Sequence, residues 1–160
     1  MVTMLLPTLA DTHALASSVA SLVEPGDLIL LSGDLGAGKT AFTQALAAAL
    51  GVTEAVTSPT FSMHRSYNGT RLVLHHLDLY RLATGDEGDD LDIDGLVEAG
   101  GVTIIEWAER LARLASLDHL GLEFEHVDDD RRNATITARG TRWTAHLDHL
   151  GAGAEAKPRC

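Results

Sequence analysis

Residues 33–40 read Gly33-Asp34-Leu35-Gly36-Ala37-Gly38-Lys39-Thr40, which satisfies G-x-x-x-x-G-K-[ST]. These residue types at this spacing suit one task, holding the phosphates of a nucleoside triphosphate. Glycines at 33, 36 and 38 allow a tight backbone turn whose N–H groups approach phosphate oxygens. Lys39 brings a point charge to the β- and γ-phosphates, and the Thr40 hydroxyl suits Mg²⁺. A helix starting there adds its positive end. Average residue usage produces the pattern by chance in about one chain of this length in two hundred, so a glycine turn without a ligand is the weaker reading. Lysine usage agrees: of 12 basic residues only Lys39 and Lys157 are lysines.

A phosphate-bound Mg²⁺ needs a carboxylate close by, usually from the end of a neighbouring strand. Asp78 in His76-Leu77-Asp78-Leu79-Tyr80 and Glu106 in Ile104-Ile105-Glu106-Trp107 both follow apolar runs and both qualify. The plainer reading of either is a strand cap or a partner for an arginine such as Arg81. With the phosphate loop upstream, the functional reading is preferred, and which of the two orients water stays open. Trp107 either stacks on a base or packs in the core. His75 and His76, adjacent on a strand, point to opposite faces and are read as structural. Asp90-x-Asp92-x-Asp94-Gly95 begins like a calcium loop, but its twelfth position is Gly101 instead of a glutamate, so it is read as a solvated acidic loop. No second core lysine exists for an Asn-Lys-x-Asp guanine reader, and no G-x-S-x-G marks a serine hydrolase.

The surrounding elements must place these groups. Leu28-Ile29-Leu30-Leu31 reads as a buried strand entering the loop, and Ala41–Leu50 as the helix leaving it, ended by Gly51. Strand, glycine loop, helix is the required order. Upstream, residues 4–9 suggest a short edge strand. A helix to Val23 follows, with Asp11-Thr12 as its N-cap candidate. Downstream, Asn68-Gly69 predicts a two-residue hairpin turn between arms 62–67 and 70–77. Residues 84–95 read as an acidic loop leading into a short helix, Val102–Ile105 as a second buried strand, and Ala108–Ala115 as helical. Segments 120–127, 134–139 and 143–147 alternate like strands of an antiparallel ribbon. The expected fold is therefore an α/β sheet of P-loop NTPase type flanked by helices, with a β-hairpin and an antiparallel C-terminal ribbon. One domain over residues 1–150 is expected, followed by an unstructured tail at 151–160. The ligand in such sheets lies at the strands' carboxyl ends.

Net charge is −11, with no basic cluster beyond Arg131-Arg132, which argues against direct tight binding of nucleic acid. The one cysteine, Cys160, leaves no disulfide within the chain. Without a signal-like start or an 18-residue apolar run, a cytoplasmic location is expected.

Four blocks, Gly33–Thr40, Thr57-Ser58-Pro59-Thr60-Phe61, His76-Leu77-Asp78-Leu79-Tyr80-Arg81-Leu82 and Ile105-Glu106-Trp107, in this order and spacing, resemble the TsaE (YjeE) family of small bacterial P-loop ATPases. The likeness spans roughly residues 10–140. It implies a part in making N6-threonylcarbamoyladenosine at position 37 of tRNAs reading codons that begin with A. It also implies slow Mg²⁺-dependent ATP hydrolysis that supports turnover of a TsaB–TsaD heterodimer, which would hold the tRNA. Carried over, Gly33 and Gly36 through Ala41 (Ala37, Gly38, Lys39 and Thr40 between them) would wrap the phosphates. Thr40 and Glu106 would hold Mg²⁺, and Asp78, with Lys39 and Glu106, would serve hydrolysis. The 57–61 loop would respond to the γ-phosphate. Thr12 and Trp107 would lie near adenosine, and Arg132, with Arg131 as the alternative, near the nucleotide. The rival readings are a small-molecule kinase and a nucleotide switch that does not hydrolyse.

Overall fold

The apolar run at 28–31 is the centre of β2 (Asp27–Gly33), whose side chains are buried on both faces. Such a strand needs partners on both edges. It pairs in parallel with β5 (Val102–Glu106) on one side and with β6 (His119–His126) on the other. Outside β5 lie β4 (Val73–Asp78), parallel to it, and then β3 (His64–Asn68), antiparallel. Outside β6 lie β7 (Arg132–Arg139) and then β1 (Val2–Leu6), both antiparallel to their neighbours. The structure, a computed structural model, describes residues 1–59, 62–82 and 91–152. Among the described residues, these seven strands form one sheet in the order β1-β7-β6-β2-β5-β4-β3.

Alternation along the strands sorts side chains into two cores. Ile29, Leu31, Ile104, Leu122 and Phe124 pack beneath α1 (Leu9–Leu22), α2 (Lys39–Ala49) and α4 (Thr141–Ala152). Leu28, Leu30, Leu77 and Ile105 pack on the opposite face. There they meet α3 (Ile93–Glu98) and two short 3₁₀ turns at Ala108–Arg110 and Ala112–Ser116. Asp92, inside the acidic motif, accepts a hydrogen bond from the Gly95 amide and caps α3.

The fold class stands as expected, with local corrections. The 143–147 segment is helical, not a third ribbon strand. Gly140 takes φ 86° at the end of β7 and turns the chain. Trp143, Leu147 and Leu150 then share one face by their spacing and pack into the first core. The periodicity of three to four residues wins over a short stretch of apparent alternation. Arg142 fixes this helix by donating to the Leu22 carbonyl and, at 2.8 Å, to Asp27. Helix α4 also takes up Gly151 and Ala152 of the expected tail; residues 153–160 lie outside the described residues.

The second correction concerns α1, whose N-cap is Thr8 and not Asp11-Thr12. Thr8 and Asp11 form a reciprocal capping box. Third, the hairpin register joins Asn68 to Val73, so the connection is four residues (69–72), and neither Asn68 nor Gly69 adopts the positive φ of a two-residue type I′ turn. Ala108–Ala115 is helical as expected, in the form of two 3₁₀ turns. The edge strand begins at Val2 and ends before Pro7, two residues earlier than expected at its start.

Candidate active site

Three parallel strands, β2, β5 and β4, end on one side of the sheet, and each delivers a candidate group there. β2 runs into the phosphate loop, β5 ends at Glu106, and β4 ends at Asp78. Register makes the two acids neighbours: Asp78 is the direct partner of Glu106, and Glu106 is the partner of Leu31 on the other side. Both carboxylates occupy the sheet face covered by α2, the helix that starts at Lys39.

The loop itself is held by backbone contacts that only glycine permits. Gly33 has φ +121°, and a Cβ there would lie 2.1 Å from the Phe124 carbonyl oxygen on β6. The loop therefore lies directly on the β6 backbone. Gly38, at φ 116°, is the N-cap of α2 without a side chain to satisfy the first amides, so the helix presents free N–H groups there.

Lys39 is buried. Its ammonium donates to the carbonyls of Gly33 and, at 2.8 Å, of Asp34, and it sits 3.8 Å from the centre of the Trp107 ring. Burial pulls the Lys39 ammonium below its usual range, against the opposing pull of Glu106, Glu109, Asp78 and Asp34. Four acids therefore surround one buried cation. Trp107 reaches this position through a left-handed backbone at φ 60°, a cost of about 1–3 kcal/mol that non-glycine residues rarely bear. Its ring also lies 5.0 Å from Tyr80, with Arg110 alongside both. Trp107 thus packs on Lys39 and Tyr80 at the carboxyl edge.

Thr40 Oγ1 donates to Glu106 Oε2 at 2.8 Å, and the Ser58 hydroxyl lies 3.5 Å from Thr40 Oγ1. The 57–61 loop thereby approaches the α2 start through Ser58; Thr60 and Phe61 lie outside the described residues. Asp78 Oδ1 accepts the Tyr80 amide at 2.9 Å. Glu106 is 2% exposed, and two further groups hold it. Thr43, one turn along α2, donates to Oε1 at 3.1 Å, and His76 Nε2 lies 3.0 Å from that atom. Sequence reasoning did not single out Thr43 and read His76 as structural. The signals were present: Thr43 shares a helical face with Lys39 and Thr40, and His76 shares a strand face with Asp78 two residues on. His75 does point to the other face, toward Ser66 and the Gly100 carbonyl.

The structure brings together Gly33, Gly36, Ala37, Gly38, Lys39, Thr40, Asp78, Glu106 and Trp107 at one sheet edge. Ala41 follows on the first turn of α2. Thr12 and Arg132 take no part in the contacts just described. Thr12 is buried on α1. Arg132 opens β7, where its guanidinium donates to the carbonyls of Asp128, Asp129 and Arg131. Arg131 pairs with the Asp128 carboxylate at 2.5 Å. This turn follows β6, whose His126 side chain lies against Gly36.

The family model described as Threonylcarbamoyl adenosine biosynthesis protein TsaE matches residues 6–134, a span that contains the whole loop, both acids and Trp107. The chain belongs to the TsaE family. Relatives agree over most of their length. The TsaE of Bacillus subtilis is 41% identical over 140 residues, covering 88% of this chain and 87% of that one. The TsaE of Streptomyces coelicolor is 41% identical over 138 residues, covering 81% and 91%. Among solved structures, Bacillus subtilis YdiB superposes with a TM-score of 0.80 at 33% identity and covers 95% of both chains. Among the described residues no helix is long and apolar enough to cross a membrane.

Hard oxygen donors suit a hard cation. A buried carboxylate joined to a threonine hydroxyl, with a second carboxylate on the adjacent strand end, is such a donor set and fits Mg²⁺. The fit rests on Glu106, Thr40 and Asp78 of this structure.

Proposed function

We propose that this TsaE-family chain is a Mg²⁺-dependent ATPase whose slow hydrolysis supports repeated turnover of a TsaB–TsaD partner in tRNA threonylcarbamoyladenosine synthesis. The observation that carries the reading is the Thr40–Glu106 hydrogen bond, which joins the phosphate loop's helix to a neighbouring strand end beside buried Lys39. Thr40 can offer an oxygen lone pair to a cation while its hydrogen stays on Glu106. A bound Mg²⁺ supplies charge neutralisation on the β- and γ-phosphate oxygens. Lys39 supplies the protein's own positive charge at that place, released from its loop carbonyls to the phosphates. The free amides at Gly38 and the start of α2 hold the remaining phosphate oxygens. Asp78, whose Oδ1 is fixed by the Tyr80 amide, is the acid that orients the attacking water, and Glu106 holds the cation with Thr40. Tyr80, Trp107 and Arg110 form the lip of the site that a partner would cover.

The test is reconstitution with TsaB and TsaD under multiple-turnover conditions. Modified tRNA should exceed the amount of partner complex only when this chain and ATP are both present. Lys39→Ala and Asp78→Ala should each abolish that excess. Full turnover with Lys39→Ala would refute the catalytic assignment. Full turnover with Asp78→Ala, with ATP bound and uncleaved, would favour a switch that needs no hydrolysis.

A further inference from the structure

We infer that His76 is a positioning residue that fixes the Glu106 carboxylate so that one oxygen, Oε2, faces Thr40 and the cation. This inference rests on the reading of Thr40 and Glu106 as the Mg²⁺ holders. His76 is fully buried in β4, on the same sheet face as Leu74 and beside its strand partner Ile104 on β5. A buried imidazole is costly unless hydrogen-bonded, and this one is only half satisfied. Nε2 contacts Glu106, whereas Nδ1 has no hydrogen-bond partner among the described residues. A side chain serving packing alone would be leucine at this place.

The contact sets the tautomer. An ionised carboxylate accepts, so Nε2 carries the hydrogen, and the bare lone pair is left on Nδ1. His76 is thus placed to donate its Nε2 hydrogen to Glu106 Oε1.

The reason Glu106 needs such a donor lies in its last torsion. The carboxylate's rotation about its terminal bond is broad and has little intrinsic preference, so contacts alone decide where its oxygens point. Oε2 receives the Thr40 hydroxyl. Oε1 receives Thr43 and His76, but the one Thr43 hydrogen is shared, because the Lys39 carbonyl lies at the same 3.1 Å distance from Thr43 Oγ1 as Glu106 Oε1 does. His76 supplies the only undivided hydrogen on Oε1 among these contacts. When Thr40 turns its lone pairs to a cation, the inner donors keep the carboxylate from following. Partners of this kind, which orient a metal-holding side chain without touching the metal, typically matter by about 10–100-fold in metal affinity or activity.

The experiment measures ADP binding by calorimetry on the full chain, in EDTA and across a Mg²⁺ titration, for the parent, His76→Leu and His76→Gln. Glutamine places an N–H near the position of Nε2, and leucine removes the donor at similar size. Expected is unchanged ADP affinity in EDTA for both variants. The apparent Mg²⁺ affinity of the ADP complex should fall about 10–100-fold for His76→Leu and recover to near the parent value for His76→Gln. If His76→Leu does not fold, His76→Asn takes its place, since its shorter amide falls short of Glu106 and the same loss is expected. A folded His76→Leu or His76→Asn with parental Mg²⁺ dependence overturns the inference, as does a His76→Gln variant impaired as much as His76→Leu. A parent protein whose ADP binding ignores Mg²⁺ overturns the underlying Mg²⁺ reading together with it.

Discussion

Gly33 and Gly38 share a positive φ but differ in surroundings, and the difference gives a quantitative test of how the loop is seated. Alanine at either position adopts a backbone that side chains disfavour, at a cost of about 1–3 kcal/mol common to both. At Gly38 nothing lies within 4 Å of the added Cβ, so that cost is nearly the whole effect. At Gly33 the Cβ meets the Phe124 carbonyl oxygen at 2.1 Å, where real contacts stay above 3.0 Å. The obstacle is backbone and cannot swing aside. Gly33 and Phe124 are paired at the end of the β2–β6 ladder, so relief means prying that seam open by about 1 Å. Overpacking of this kind adds about 1–3 kcal/mol, which puts Gly33→Ala some 2 kcal/mol below Gly38→Ala. For a chain of this size, that separates the two melting temperatures by roughly 4–8 °C. Urea denaturation of both variants beside the parent, with slopes compared to check for two-state unfolding, measures it. Equal midpoints for Gly33→Ala and Gly38→Ala would refute the close seating of the loop on β6.

Trp143→Ala should cost about 3–5 kcal/mol, because its indole is buried where α4 meets the first core; a loss under about 1 kcal/mol in denaturation would contradict the docked helix. Arg131 holds the Asp128 carboxyl down from 3.8 to about 2 through hydrogen bonds to its side chain and backbone. A depressed folded-state value means that the contribution to stability is complete above about pH 4 and is lost as pH falls through about 2. Carboxyl NMR titration should therefore give about 2 for Asp128 in the parent and a raised value in Arg131→Ala, whose backbone amide still donates to the carboxylate. An Asp128 value near 4 in the parent would count against the pair.

Most of the site was legible because phosphate chemistry demands particular residues at fixed spacing in one stretch of chain. The octapeptide, the flanking apolar strand and the Ala-rich helix are all local, and each lies where its pattern says. Asp78 and Glu106 were legible as strand ends because each directly follows an apolar run, and the upstream phosphate loop made them candidates. Their pairing was not, because strand order is set by packing between segments far apart in sequence. The same reason hid His76 and Thr43, whose shared partner Glu106 lies 30 and 63 residues away along the chain. Trp107 was read as facing either a base or the core, and its ring packs against the second core as well as against Lys39 and Tyr80, through a backbone conformation that no residue pattern announces. The 143–147 helix was misread because five residues cannot separate alternation from helical spacing; only Leu150 completes the face. The hairpin shows the limit of dipeptide signals. Asn68 is held in the β3–β4 ladder by its pairing with Val73, and that long-range register outweighs the turn preference of Asn68-Gly69.

The most direct measurement is calorimetry of the purified chain, alone and with TsaB and TsaD, using ATP or ADP in Mg²⁺ and again in EDTA. Saturable binding that weakens on removal of Mg²⁺, and that Lys39→Ala abolishes, is the result this account predicts. Absence of binding in Mg²⁺, with the partners present, would contradict it.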